Sequence, residues 1–132
     1  MTGGTGHDAF RYLAVTDSFS AAFDTITDFD ATADHFVFPV QVTAVDTAII
    51  HGALGTVTFD DDLVAAITPA KLGANHAVLF TPDSGAHKGD IFLIVDGNGV
   101  AGYQSGLDYV IQLQNPAHMG SFGVGDFGVP VV

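Results

Sequence analysis

Gly3-Gly4-Thr5-Gly6-His7-Asp8-Ala9-Phe10-Arg11 fits the nonapeptide G-G-x-G-x-D-x-U-x, where U is a large apolar residue. The spacing has a physical purpose. Glycines let the backbone turn tightly so that its carbonyls point inward at a cation, and Asp8 adds a carboxylate. Phe10 then begins a short strand whose side chain fills the interior. Gly4, Gly6 and Asp8 are therefore candidate metal-ligating residues, with the all-oxygen chemistry that suits Ca2+. In Asp24-Thr25-Ile26-Thr27-Asp28-Phe29-Asp30, Asp24 and Asp28 lie on one face of an extended strand. Two carboxylates on one face repel unless they are solvated or share a cation. A third candidate is the stretch from Asp96 to Asp108. Asp96 and Asn98 occupy the first and third positions of an EF-hand-like loop, but Val100 and Leu107 stand at its fifth and twelfth. With those two positions mismatched, Asp96, Asn98 and the glycines read more simply as turn formers.

The rest of the composition fits this chemistry. All fifteen acidic residues are Asp, against only Arg11, Lys71 and Lys88, for a formal net charge of −12. Asp holds its carboxylate close to its own backbone, as loop-type calcium sites require; a solubilising acidic surface is the other reading. Such a charge makes nucleic acid and anionic membrane poor partners. Without Cys there are no disulfides, thiolate metal sites or cysteine nucleophiles. None of the six His falls in an H-E-x-x-H, H-x-H or H-x-x-x-H pattern, and no G-x-S-x-G element or phosphate-binding loop occurs. No catalytic constellation is identifiable, and the expectation is a non-enzyme.

Apolar residues make up 48% of the chain and charged ones 14%, so it is not a disordered sequence. At 132 residues it is expected to be a single domain with one core. No apolar run reaches membrane-span length, and no basic segment precedes an apolar signal core. That leaves a cytoplasmic protein, an excised fragment, or a C-terminally directed export route.

The elements that must hold these residues are mainly β. Residues 77–81, 90–95 and 108–113 are rich in β-branched and aromatic side chains and bounded by turn formers, which predicts a three-stranded antiparallel meander. The middle run lacks polar alternation, so its strand should be central or covered on both faces. Residues 55–59 read as a strand, Asp60-Asp61-Asp62 as the opening of a helix over 63–67, and Thr68-Pro69 as the start of a second short helix closed at Gly73. An apolar stretch around Val42, Ala44, Val45, Ala48, Ile49 and Ile50 reads as strand or loop. A single repeat copy cannot bury its own apolar face, so residues 3–38 read as the last turn of a parallel β-roll and its cap. Residues 55–114 form the helix-plus-meander part, and 115–132 a Gly-rich tail.

Several segments carry a resemblance. Phe59-Asp60-Asp61-Asp62-Leu63, residues 77–85, Val95-Asp96-Gly97-Asn98-Gly99-Val100-Ala101-Gly102-Tyr103 and Gly106-Leu107-Asp108-Tyr109-Val110 look like the bluetail domain. That module is similar to the C-terminal region of RTX-type proteins exported by type I secretion. The strand order over 24–38 also resembles the end of the roll in serralysin-type exports, departing at Phe38, where Asp is frequent. The resemblance covers most of residues 3–114. It implies a calcium-dependent, secreted or surface-located C-terminal module without catalysis of its own, whose tail is an uncleaved signal for the type I secretion apparatus. A surface-displayed glycan- or protein-binding module, using loop 82–89 or 96–107, is the alternative.

Overall fold

The computed structural model describes residues 1–46 and 50–128. Among the described residues the strands are β1 (Ala9–Arg11), β2 (Asp24–Ile26), β3 (His35–Val37), β4 (Ala44–Val45), β5 (His76–Phe80), β6 (Ile91–Val95) and β7 (Tyr109–Leu113), with one α-helix, α1 (Phe59–Ala66). They form two sheets. β1 and β3 pair in parallel, and the larger sheet runs β2-β7-β6-β5-β4.

The expected meander is present. β5 and β6 pair antiparallel from Ala77↔Val95 to Phe80↔Phe92, and β6 and β7 from Ile91↔Leu113 to Val95↔Tyr109. β6 lies at the centre and is covered on both faces, for a reason the pleat makes plain. Leu93 and Val95 point into one core with Phe10, Phe29, Phe36, Phe38 and Phe127. Phe92 and Ile94 point into the other with Phe59, Leu63, Ile67 and Leu72. The β1–β3 pair and residues 119–127 thus cover one face of the large sheet, and α1 with its flanking turns covers the other.

Two expectations need correction. Residues 55–59 are not a strand. Asp62 accepts hydrogen bonds from the Gly55 N–H (2.9 Å) and the Thr58 hydroxyl (2.6 Å), curling this segment into the first turn of α1. Phe59 and Leu63, four residues apart, are buried while Val57 is 99% exposed, which is helical and not strand spacing. The second helix is a single turn, in which the Lys71 and Leu72 N–H groups both donate to the Thr68 carbonyl (2.9 and 3.1 Å). Of the expected last turn of a parallel β-roll, the described residues show one parallel pair, β1 with β3. One repeat supplies one short strand, β1, which pairs with β3, while β2 crosses to the large sheet beside β7. The large sheet is consequently mixed, with β2 and β4 parallel to their neighbours. Residues 115–128 belong to the Gly-rich tail. They carry short 3-10 turns at Met119–Ser121 and Val124–Asp126, and Phe127 is buried. Of the apolar stretch after Gln41, Ala48 and Ile49 lie outside the described residues.

Candidate metal centre

The N-terminal turn is built by backbone geometry that glycine alone adopts easily. Gly4 and Gly6 have φ of 99° and 115°, and a Cβ at either would meet nothing within 4 Å. Asp28 anchors the turn by accepting the N–H groups of Gly3 (2.9 Å) and Gly4 (2.7 Å), and these bonds hold its carboxyl below the usual carboxylate range.

Asp8 follows. Its carbonyl accepts the His35 N–H (2.9 Å), and its own N–H donates to Asp34 Oδ1 (3.1 Å). Its side-chain oxygen Oδ2 is buried and has no hydrogen-bond partner. Gly3 packs directly against that oxygen, so closely that a Cβ there would come within 2.7 Å of it. A buried carboxylate oxygen with no donor is costly to desolvate and calls for a positive partner.

The other sequence-predicted residues have different surroundings. β2 ends at Ile26, so the alternation that would align Asp24 with Asp28 stops before Asp28. Asp24 begins β2, its N–H donating to Ser18 Oγ (2.8 Å). It lies close to the buried hydroxyl of Tyr12, which burial, reinforced by the Asp24 and Asp17 charges, makes a weaker acid than usual. Asp96, Asn98 and Asp108 are brought together in one loop. Asp96 accepts N–H groups from Asn75 (2.6 Å), Asn98 (3.1 Å) and Gly99 (3.1 Å), and Asp108 accepts those of Gly97 (3.0 Å) and Gln104 (2.7 Å). Asn98 Oδ1 takes the Val100 N–H at 3.0 Å. Both carboxylates are fully buried. Burial pushes the Asp108 carboxyl up to about 7 against the pull of its two N–H donors, and the nearby Asp96 charge adds to the rise. These oxygens clasp the backbone of the β6–β7 connection and tie it to Asn75, just before β5.

Asp8 Oδ2 is thus buried without a partner, whereas the Asp96 and Asp108 carboxylates are engaged by backbone N–H groups. Among the described residues no three His, Cys, Asp or Glu side chains converge as a metal-binding group. A site at the N-terminal turn would accordingly rest on one carboxylate and backbone carbonyls.

Sequence reasoning missed Gly3 and Asp34 as members of the site. Asp34 is 6% exposed and accepts both the Asp8 N–H and the Asp30 N–H (2.9 Å). The Asp30-x-x-x-Asp34 spacing just before β3 was the available signal, since Asp at a strand entry commonly caps the preceding turn.

Compared with known proteins, the chain matches no family model, no curated protein and no solved structure. No helix among the described residues is long and apolar enough to cross a membrane.

Proposed function

We propose that this chain is a non-enzymatic, calcium-stabilised module that caps the C-terminal end of a β-roll in a secreted or surface protein and carries a type I secretion signal. The observation that carries the reading is the buried, unpartnered Asp8 Oδ2 inside a G-G-x-G-x-D turn. Two further features support it. The other segments resemble the bluetail domain, and β1 pairs with β3 alone among the described strands, so its second edge is available to a preceding parallel strand.

Asp8, with backbone carbonyls of the Gly4–Gly6 turn, would hold the ion. Bound Ca2+ supplies the positive charge that this acidic turn lacks. Gly3 keeps the carboxylate close, and Asp28 fixes the turn through its N–H groups. With a net charge of −12, self-repulsion loosens the chain where calcium is scarce. Extracellular-type sites bind at about 10⁻⁴–10⁻³ M, so calcium at about 1 mM adds roughly 0.4–1.4 kcal/mol per site and cytosolic calcium almost nothing. For a domain of this size that is a rise in Tm of about 1.5–5 °C.

The test is thermal unfolding in chelator, in 1 mM calcium and in 1 mM magnesium, for the wild type and Asp8→Asn. A calcium-specific rise that Asp8→Asn abolishes is expected. An identical Tm in chelator and calcium refutes the proposal.

A further inference from the structure

The N-terminal turn and the 117–128 segment, far apart in sequence, are joined by a run of hydrogen bonds that alternates between backbone N–H groups and side chains. The Asp8 N–H donates to Asp34 Oδ1, and Asp34 Oδ2 accepts the Asp30 N–H. Asp30 Oδ1 then bonds the His118 ring at 2.8 Å, while the Thr32 N–H (2.8 Å) and hydroxyl (2.6 Å) hold the same oxygen in place. Immediately beside His118, Ala117 docks by backbone, donating to the Phe29 carbonyl (2.8 Å) and accepting the Ala31 N–H (3.1 Å).

Beyond this hinge the chain forms a strap over the aromatic core. Phe122 packs on Phe29 and Phe127, and Phe127 on Phe36 and Phe38. The Gly128 N–H closes it, donating to the Phe36 carbonyl at 2.7 Å. Asn115 and His118 sit at positive φ (50° and 55°), so the strap leaves β7 through a bent hinge and is not a continuation of the strand. Among the described residues its hold consists of a few backbone bonds, the His118–Asp30 bond and the packing of Met119, Phe122 and Phe127, which is the profile of an element that opens below the global unfolding free energy.

The geometry points to a coupling between these two ends: cation binding at the Asp8 turn and closure of the 117–128 strap favour one another through Asp34, Asp30 and His118. This rests on the calcium reading above and adds its regulation. An ion on Asp8 fixes the peptide that donates to Asp34. Asp34, nearly buried and with both oxygens engaged, transmits that order to the Asp30 turn, and Asp30 is the surface on which Ala117 and His118 land. Linkage makes the effect reciprocal, so a closed strap must raise calcium affinity by the same factor.

The test uses the full chain. Hydrogen exchange of the Ala117 and Gly128 amides is compared with that of Leu93 and Ile94 in the central strand, in chelator and at saturating calcium. Calcium is expected to slow the strap amides by at least about fivefold, the lower end of couplings between linked sites, and by more than it slows the central strand. His118→Ala, a change at a residue 61% exposed on its side chain, should leave the fold intact, remove that excess and weaken calcium binding by a matching factor. If calcium binds in an Asp8-dependent way but the strap and β6 amides respond equally, the coupling is wrong and the calcium site stands. If there is no Asp8-dependent calcium response, both fall.

Discussion

The buried Asp96–Asp108 pair makes the pH dependence of stability a demanding test of the structure. The Asp108 carboxyl sits at about 7 in the fold, against 3.8 for a free side chain, because burial disfavours its charge and Asp96 adds to the effect. Its folded pKa is raised, so the native state keeps a proton that the unfolded chain releases. Stability must therefore fall as pH rises from about 4 to about 7, then level off. A rise of about three pKa units corresponds to on the order of 4 kcal/mol, a ceiling because local opening of the loop hydrates the pair before the whole fold is lost. Groups shifted the other way act elsewhere. Asp30, held at about 2 by the Thr32 hydroxyl and N–H, and Asp28, lowered by the Gly3 and Gly4 N–H groups, withdraw their contributions only as pH falls below about 3.8. The assay is urea unfolding from pH 4.5 to 8.5 in chelator, for wild type and Asp108→Asn. Asn cannot titrate, so the change with pH is the readout, whatever its absolute stability. The wild type should lose stability relative to the variant across the window, and parallel profiles within about 1 kcal/mol would refute the reasoning. Repeating it in millimolar calcium tests the loop as a metal site. A cation on the pair replaces the proton and flattens the slope, whereas turn clasps leave it unchanged.

Phe36, fully buried among Phe10, Phe29, Phe38 and Phe127, should cost about 3–5 kcal/mol when changed to Ala, measured by chemical denaturation; a loss below about 1 kcal/mol would mean that the strap and the β1–β3 pair do not close over it. Val57→Ser, at a side chain 99% exposed, should shift stability by no more than about 0.5 kcal/mol in the same assay, and a larger loss would place Val57 in an interface.

The meander was legible because three runs of β-branched and aromatic residues were each long enough for a strand and separated by strong turn formers. The unalternating Ile91-Phe92-Leu93-Ile94-Val95 run also declared a strand buried on both faces, and it is. Local chemistry misled where a longer-range partner decided. Gly55-Thr56-Val57-Thr58-Phe59 alternates like a strand, yet the Asp62 carboxylate draws its start into the helix turn. At the candidate centre, the turn's glycines and Asp8 could be named from spacing alone. The partners of Asp8 could not, since Gly3 meets its oxygen by packing and Asp34 accepts its N–H at the start of the parallel β1–β3 pair.

The sequence by itself determined which segments extend and where they turn, because those properties depend on residues close together along the chain. Tertiary structure alone decided that β2 joins β7 instead of extending a roll, that one loop's carboxylates clasp their own backbone, and that residues 115–128 seal the aromatic core. Those outcomes depend on which apolar faces and unpaired N–H groups meet across the fold, and a linear pattern does not specify such meetings.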